Sequence, residues 1–307
     1  MLDIHQLHIF LVSAETLSFT QAAHRLHMSQ PSVSQHIQLL ERHFNCDLFL
    51  RNGRVLELTD AGMTLVPMAR EAVALSVRID ETMASLKGDV IGHLMVGCST
   101  TPGKYVLPQL LAHFHERYPK VRVTCNVCSQ NSALKMLWNG EVHFALVSLE
   151  REHQPDFEYY RYLCDRIQMI TPLDHPWAQK GEITLDDLTS GRYILREDTS
   201  GTYIAVSESL GRGGVSMADL DNLLTLGNSE AIALAVQEGL GVGFVSEIIL
   251  DRLNSVQVAR VNIRDVAIQR EIFFTRNLRH PATVAQNAFW NFLQTEQQVY
   301  CKEYSAV

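Results

Sequence analysis

A run of short polar side chains at residues 30–38 has the chemistry needed to read the bases of nucleic acid. A glutamine amide can donate to and accept from the edge of one adenine, and a serine hydroxyl can bond to a base or a phosphate. A proline in the run suits the first turn of a helix, where its missing N–H costs nothing. The candidate contacts with a major groove are Gln30, Pro31, Ser32, Ser34, Gln35 and Gln38.

Two short helices are predicted to position this run. Ser18 and Gln21 have the spacing of a capping box, which marks the start of the first helix. Val33, Ile37 and Leu40 recur at i, i+4 and i+7, which predicts the buried face of the second helix and leaves the polar residues outside. Taken alone, that polar face is more simply a solvated surface. The capped pair and the segment that follows favour a helix-turn-helix.

The segment after the second helix is predicted to be a strand-turn-strand. Residues 48–50 and 55–58 are strand-like, and the Asn52-Gly53 pair between them is a strong hairpin signal. The turn would place Arg51 and Arg54 at an exposed tip, where guanidinium groups suit phosphates or a minor groove. Residues 1–62 are therefore predicted to form a winged helix-turn-helix.

A long helix is predicted to begin at Thr59 and to end near Leu86. Residues 63–88 are predicted to be the linker between the N-terminal and C-terminal regions. Its apolar and small residues repeat with the alternating four-three spacing of a coiled coil, and Pro67 inside the pattern should bend it. A helix packed on its own domain is the alternative, but a period of 3.5 residues favours another helix. The predicted seam comprises Leu65, Ala69, Ala72, Ser76, Ile79, Met83 and Leu86.

Residues 89–307 alternate strands and helices, which predicts an α/β region with a largely parallel sheet. The chain is predicted to cross into a second lobe near residue 164 and to return near residue 267. Lobe I would comprise about 89–163 and 267–307, and lobe II about 164–266.

Ligands in such folds bind where strands end and helices begin, between the lobes. Hydroxyls and free helix N–H groups at these places suit an anion. Each polar residue there is, taken singly, more simply a helix cap. The candidate ligands are Ser99, Thr100, Thr101, Asn131, Ser200, Thr202 and Asn228.

Residues 7–62 resemble the N-terminal domain of LysR-type transcriptional regulators, and the remaining length fits the family too. The resemblance implies a two-lobed effector domain similar to periplasmic binding proteins, facing pairs of ligand residues from both lobes, and dimerisation through the linker helix. The stretch 99–108 is similar to members that control sulfur assimilation or carbon fixation. The positions that carry the family resemblance include Ala22, Ala23, Ser29, Gln30, Pro31, Ser32, Val33, Ser34, Leu48, Phe49, Arg51, Leu58, Thr59, Asp60, Ala61 and Gly62.

The resemblance also implies the partners and the mechanism. The expected partners are double-stranded promoter DNA, a small anionic effector, RNA polymerase, and further copies of the chain in a homodimer that assembles into a homotetramer. The effector would close the cleft, change the angle between subunits and so alter DNA bending and transcription.

Three positions depart from the family pattern. Asn45 stands where glycine is common, and asparagine also tolerates a left-handed backbone. Leu17 stands at another common glycine, where we expect only altered packing. Tyr203 replaces a frequent arginine after Ser-Gly-Thr, which removes one positive partner from the predicted effector site.

The charge of the chain is unusual for a DNA reader. The net charge is −8 over 307 residues, and residues 1–62 hold four arginines against six acidic residues. We therefore expect modest non-specific affinity for DNA and dependence on several subunits. No apolar run of 18 residues predicts a membrane span, and the amphipathic start differs from a secretion signal, so the cytoplasm is the expected location.

Other chemistry is not indicated. Cys125 and Cys128 should point to opposite faces of a strand, which disfavours zinc or a disulfide and predicts buried structural thiols. A redox role like that of some family members is the alternative. No motif suggests catalysis, a metal or a cofactor. The competing function is a solute-binding protein, which would leave the helix-turn-helix unexplained.

Overall fold

The computed structural model describes residues 2–52, 55–86, 88–148, 154–253 and 255–304. The chain divides into two compact units, Met1–Ile91 with Ala282–Val284, and Gly92–Pro281 with Ala285–Val307. No helix of the described residues is both long enough and apolar enough to cross a bilayer.

The N-terminal unit is a winged helix-turn-helix followed by a long helix, as predicted. Its elements are α1 (Ile4–Thr16), α2 (Phe19–Arg25), α3 (Gln30–Phe44), β1 (Phe49–Asn52), β2 (Val55–Leu58) and α4 (Asp60–Ser85). The two strands form an antiparallel hairpin in which Phe49 lies opposite Leu58.

Serine and threonine side chains start these helices. Ser18 Oγ accepts from Gln21 N at 3.3 Å, Ser29 Oγ from Ser32 N at 3.3 Å, and Thr59 Oγ1 from Gly62 N at 3.0 Å. Each bond satisfies a backbone donor that lacks a partner within the first turn. The caps fix where α2, α3 and α4 begin.

The predicted buried face of α3 is confirmed. Val33, Ile37 and Leu40 are fully buried. They lie in one core with Leu7 and Phe10 of α1, and with alanines of α2. This core holds α3 so that its other side remains exposed.

One carboxylate joins α3 to the wing. Glu41 Oε1 accepts from Leu48 N at 3.0 Å and from Phe49 N at 3.3 Å, so the first strand is tied to the last turns of α3. Gly62 also lies close to the wing, because an added Cβ would stand 2.2 Å from Leu48 O. The hydrogen bonds of Glu41 and the lack of space beside Gly62 explain why these positions hold a glutamate and a glycine.

The predicted linker helix is confirmed, but its seam is divided. Ala69 is buried, and Leu65 and Ala72 pack on the core of the N-terminal unit itself. Further along, Ile79 and Met83 are more than half exposed in the single chain. The alternative of packing on the helix's own domain is thus correct for the first part of the seam.

Leu17 and Asn45 both adopt left-handed backbone conformations, with φ of 45° and 54°. The prediction for Asn45 is confirmed, since it ends α3. The prediction that Leu17 alters only packing is wrong, because the chain turns there between α1 and α2 and Leu17 N donates to Ser13 O at 3.0 Å. A leucine in this conformation is strained where a glycine would not be.

The C-terminal unit alternates strands with helices. Its strands are β3 (Gly92–Cys98), β4 (Val121–Val127), β5 (Phe144–Ser148), β6 (Phe157–Thr171), β7 (Glu182–Ile183), β8 (Arg192–Leu195), β9 (Asp221–Thr225), β10 (Val242–Ser246), β11 (Ala259–Ile263) and β12 (Gln269–Asn277). Its helices are α5 (Thr100–Tyr105), α6 (Leu107–Arg117), α7 (Gln130–Trp138), α8 (Pro176–Lys180), α9 (Gly201–Arg212), α10 (Ser229–Gln237), α11 (Glu247–Leu250) and α12 (Val284–Tyr304).

The strands follow the order β4-β3-β5-β12-β6-β10-β8-β9, with β11 also paired to β6 and β7 paired to β11. The long strand β6 pairs with β12 as far as Arg166 and with β10 from Ile167 onward. The lobes are thus joined through β6 and β12, close to the predicted crossing points. The domain and lobe limits themselves remain predictions.

The structure differs from the predicted elements in two respects. The sequence pattern predicts one helix over residues 104–118, whereas the structure has two, α5 and α6, because the chain breaks at Val106 before Pro108 in the first turn of α6. Short elements of lobe II, such as α8 and β11, were not predicted, since they are too brief to show a period.

The cysteines also differ from the prediction. Cys98 is buried, but Cys125 is exposed on the edge strand β4, so the prediction of buried thiols is wrong for Cys125. Burial, followed by the charges of the nearby Cys125 and Cys128, raises the pKa of Cys98 to about 12. Cys125 is exposed as a residue, but the protein around its thiol partly excludes water and raises its pKa, and burial likewise raises the pKa of Cys128. Such thiols are poor nucleophiles.

We predict that replacing Leu17 with glycine stabilises the N-terminal unit by about 1 kcal/mol, because the left-handed conformation no longer strains a side chain. Hydrogen exchange of peptides covering residues 4–25 measures the gain. Leu39→Gly is the matched control, since this exposed leucine lies inside α3 and the change should cost about 1 kcal/mol. Faster exchange in Leu17→Gly would contradict the strain.

His143 should make the C-terminal unit sensitive to acid. Burial, with the charge of His93, lowers the pKa of His143 to about 4, and Met95 N donates to its Nδ1 at 3.1 Å. His143 therefore becomes protonated near pH 6.5 in the unfolded chain but stays neutral in the folded chain until the pH approaches 4. The free energy of unfolding of the C-terminal unit is unaffected above pH 6.5 and falls by up to about 3 kcal/mol as the pH is lowered to 4.

Urea denaturation at several pH values, followed by tryptophan fluorescence, measures this loss, because all three tryptophans lie in the C-terminal unit. His143→Gln should flatten the acid slope, whereas the exposed His115→Gln should leave it unchanged. Equal slopes in the wild type and His143→Gln would show that His143 is not responsible.

Candidate functional site

The outer face of α3 presents the predicted base-reading residues. Gln30, Pro31, Gln35 and Gln38 are exposed, while Ser32 and Ser34 are half-buried. The helix begins with Pro31 in its first turn and Ser29 as its cap, so free N–H groups lie at the same end as Gln30. The face combines amide side chains with a helix N-terminus that attracts phosphate.

The wing is only partly described. Arg51 lies in β1 opposite Leu56, next to the turn. Arg54 and Gly53 fall outside the described residues.

A cavity of about 220 Å³ lies between the two lobes of the C-terminal unit. Parallel strands end and helices begin on both of its sides, as expected for a ligand site in this kind of fold. Its lining residues are Ser99, Thr100, Thr101, Cys128, Ser129, Gln130, Arg196, Glu197, Thr199, Ser200, Gly201, Gly227 and Arg270.

Four of the predicted ligand residues line this cavity: Ser99, Thr100, Thr101 and Ser200. The other three do not. Asn131 is exposed to solvent, and Asn228 Oδ1 is occupied as the cap of α10, accepting from Glu230 N at 2.8 Å. Thr202 is buried, and its hydroxyl accepts from Arg270 Nη1 at 3.2 Å.

The N-termini of two helices, each of moderate length, open onto the cavity. Ser129 caps α7 and Ser200 caps α9, and each cap leaves further first-turn N–H groups free to donate. The partial positive charge of a helix N-terminus adds to these donors. The two ends lie in different lobes, so one ligand could contact both.

Two residues that line this cavity have a buried polar atom without a partner. Among the described residues, Ser99 Oγ and Gln130 Oε1 are buried and form no hydrogen bond. An unpaired buried polar atom costs free energy of the order of 1–3 kcal/mol. A ligand that satisfies these atoms would recover that cost.

Arg270 is the functional residue that sequence reasoning missed. It lies on β12 with only 5% of its surface exposed, and its Nε donates to Asp165 Oδ2 at 2.9 Å. Asp165 lies 105 positions away on β6 and also accepts from Ser246 Oγ at 2.6 Å. The sequence signal that could have found this pair is a charged residue at an inward-facing position of each of the two strands, β6 and β12.

A second arginine, Arg196, lines the cavity, but each of its side-chain nitrogens already donates a hydrogen bond within the protein. Arg196 donates through Nε and Nη2 to Glu197 at 2.8 Å, and through Nη1 to Ser229 Oγ at 2.9 Å. Burial alone would raise the pKa of Glu197, but the hydrogen bonds from Arg196, a hydrogen bond from the backbone of Glu197 itself and the charge of Arg196 together outweigh it and hold the pKa below its usual value. This pair supplies no net charge.

A polar contact joins the lobes beside the cavity. Glu230 of α10 accepts from Lys104 Nζ at 2.8 Å and from Tyr105 Oη, both on α5. The hydrogen bond from Lys104, followed by that from Tyr105, lowers the pKa of Glu230. Burial, followed by the bond to Glu230, raises the pKa of Tyr105. The contact holds lobe I against lobe II in this structure.

A larger depression of about 640 Å³ lies within lobe II, lined by residues that include Leu185, Arg212 and Arg264. None of its described lining residues has a buried polar atom without a partner. The smaller cavity between the lobes is therefore the candidate site. The described residues hold no group of three potential metal ligands.

Family models of known proteins match both parts of the chain. A family model described as bacterial regulatory helix-turn-helix protein, lysR family, matches residues 4–63, and the LysR substrate binding domain matches residues 87–298. An uncharacterized HTH-type transcriptional regulator of Methanocaldococcus jannaschii is 31% identical over 285 residues, 92% of this chain and 96% of the relative. A probable RuBisCO transcriptional regulator of Synechocystis sp. is 32% identical over 292 residues, 93% of this chain and 84% of the relative.

Solved structures share the fold. A full-length OxyR variant from Pseudomonas aeruginosa has a TM-score of 0.72 at 20% identity, over 97% of this chain and 95% of that one. The regulatory domain of Synechocystis CcmR, in complex with 2-PG, has a TM-score of 0.60 at 27% identity, over 67% of this chain and 98% of that one.

We predict that Gly201→Ala destabilises the C-terminal unit by about 1–3 kcal/mol through overpacking. An added Cβ would lie 2.7 Å from Ser148 Oγ and 3.1 Å from Arg270 Nη1. Urea denaturation followed by tryptophan fluorescence measures the loss, and Ser148→Ala in the same chain should recover part of it. Gly211→Ala is the control, since nothing lies within 4 Å at this position of the same helix. If Gly201→Ala matched this control, the close approach of the lobes would be refuted.

Proposed function

Because this chain belongs to the LysR family of transcriptional regulators, we propose that it reads promoter DNA through α3 and senses a small anion between its C-terminal lobes. As a family member it is a DNA-binding transcriptional regulator with an effector-binding domain rather than an enzyme.

The DNA contacts are assigned to the exposed face of α3. Gln35 and Gln38 would pair with base edges in the major groove, while Gln30, Ser32, Ser34 and the helix N-terminus with Pro31 would contact bases or phosphates. Arg51 and Arg54 of the wing would contact the backbone or a minor groove. The support is the fixed presentation of this face by the core of Val33, Ile37 and Leu40.

Assembly would supply the affinity that the acidic N-terminal unit lacks. The apolar side chains left exposed on the second part of α4, Ile79, Met83 and Leu86, are the proposed contact with a second chain. A dimer presents two copies of α3 to two half-sites, and pairs of dimers would form a tetramer.

The effector is proposed to be a small anion. The observation that carries this proposal is a cavity of about 220 Å³ that the starts of two helices and the buried Arg270 line together. A space of this size suits a metabolite of a few carbons. The related CcmR regulatory domain was solved with 2-PG, and several relatives are probable RuBisCO regulators.

The residues assigned to the effector fall into two groups. Ser99, Thr100, Thr101 and Ser200 would contact it directly. Thr202 would act through Arg270, and Asn228 through the start of α10, while Asn131 would need a rearrangement to reach it. Binding would favour one arrangement of the lobes, and through it one subunit angle, one degree of DNA bending and one contact with RNA polymerase.

We predict that Gln35→Ala weakens binding to the specific site by about 1–3 kcal/mol, or about 5- to 150-fold, because an amide pairs with one base edge. Fluorescence anisotropy with duplex DNA from upstream of the protein's own gene measures it. A random duplex of equal length is the control and should bind both proteins alike. Equal loss on both duplexes would show that Gln35 supports the fold or contacts phosphate.

A further inference from the structure

The two arginines of the effector cavity differ in where their carboxylate partners lie. Glu197, the partner of Arg196, is 38% exposed and itself lines the cavity. Asp165, the partner of Arg270, is buried outside the lining, and its Oδ2 lies 2.9 Å from Nε and 2.8 Å from Nη2 of Arg270. These contacts and the one to Thr202 occupy three of the five N–H groups of the guanidinium, so Arg270 keeps donors available on a residue that lines the cavity.

Asp165 is fully occupied behind Arg270. Its Oδ2 accepts from Arg270, and its Oδ1 accepts from Ser246 at 2.6 Å, so both oxygens act as hydrogen-bond acceptors. Asp165 is 1% exposed and does not line the cavity. Its role is to fix the guanidinium from one side, as Thr202 does from another.

The carboxylate also limits the positive charge that reaches the cavity. A buried pair of opposite charges is close to neutral as a whole, and removing one partner leaves the other uncompensated. With Asp165 in place, an anion would meet the donors of Arg270 and the helix N-termini but little net charge. Without that negative charge, the same anion would meet a whole buried positive charge.

We propose that Arg270 is the residue that selects the anionic group of the effector, and that Asp165 is the positioning residue that holds Arg270 and sets how much of its charge the effector meets. This inference rests on the proposed function, since it concerns the same cavity. It adds a named recognition residue and a means by which the chain sets its own preference for ligand charge.

Calorimetry on the full-length protein tests it with two probes of matched size, glycolate with one negative charge and oxalate with two. Asp165→Asn should bind oxalate about tenfold or more tightly than the wild type and gain less for glycolate, because the second charge doubles the attraction. Arg270→Gln should weaken both probes at least tenfold, oxalate more than glycolate. A purely structural role would change both probes by the same factor.

The matched control is Asp251→Asn, which removes the carboxylate partner of Arg260, a pair that does not line the cavity. Asp251 is 55% exposed, so water screens its charge, and the ratio of oxalate to glycolate affinity should change less than about threefold. Arg270→Lys covers the case in which a neutral variant does not fold. It keeps the charge without the fixed nitrogens, so it should weaken both probes.

The outcomes separate the two proposals. An unchanged oxalate-to-glycolate ratio in Asp165→Asn, or full binding in Arg270→Gln and Arg270→Lys, would overturn the role of Arg270 and leave the proposed function standing. If wild type bound neither probe, nor inorganic phosphate, the anionic effector and this inference would both fail. All variants should retain specific DNA binding, since their changes lie outside the N-terminal unit.

Discussion

The pairing of β6 with β12 is the constraint on which the C-terminal unit depends. Nine residues of β12 pair with β6, and the same β6 continues into pairing with β10 and β11. A strand shared in this way fixes the distance between the lobes at one end, and leaves a space between them where other strands end. The register also decides which residues meet, since Arg270 lies opposite Asp165 in the ladder.

The space that results is polar without being strongly charged. Each of its two arginines has a carboxylate partner, and the remaining positive character comes from Arg270 donors and from the starts of α7 and α9. Fixed donors of this kind lose little entropy on binding, and they recognise position as well as charge. A small ligand that touches both lobes would favour their present approach, which the contact of Glu230 with Lys104 already supports.

Local features were predictable from the sequence because local physics determines them. The caps at Ser18 and Thr59, the apolar spacing of Val33, Ile37 and Leu40, and the asparagine at the end of α3 each act within a few residues. The division of the coiled-coil seam was not predictable, because Ala69 and Ile79 have the same periodicity and only the fold determines which of them its own core covers.

The effector site was predictable only in part for the same reason. Ser99, Thr101 and Ser200 stand at strand-to-helix junctions that the alternating pattern marks. Arg270 and Asp165 lie 105 positions apart and meet only through the strand register, so no local pattern joins them. A leucine in the sequence gives no sign of a left-handed backbone, so only the observed turn between α1 and α2 reveals the strain at Leu17.

Footprinting of the purified protein on DNA upstream of its own gene, with and without small anions, tests the central claim most directly. The account predicts protection of a two-part dyad whose extent shifts when one anion is added. No protection at low salt would contradict the assignment of α3 as the reader. Protection that no anion alters, including 2-PG, would contradict the assignment of the cavity as an anion sensor.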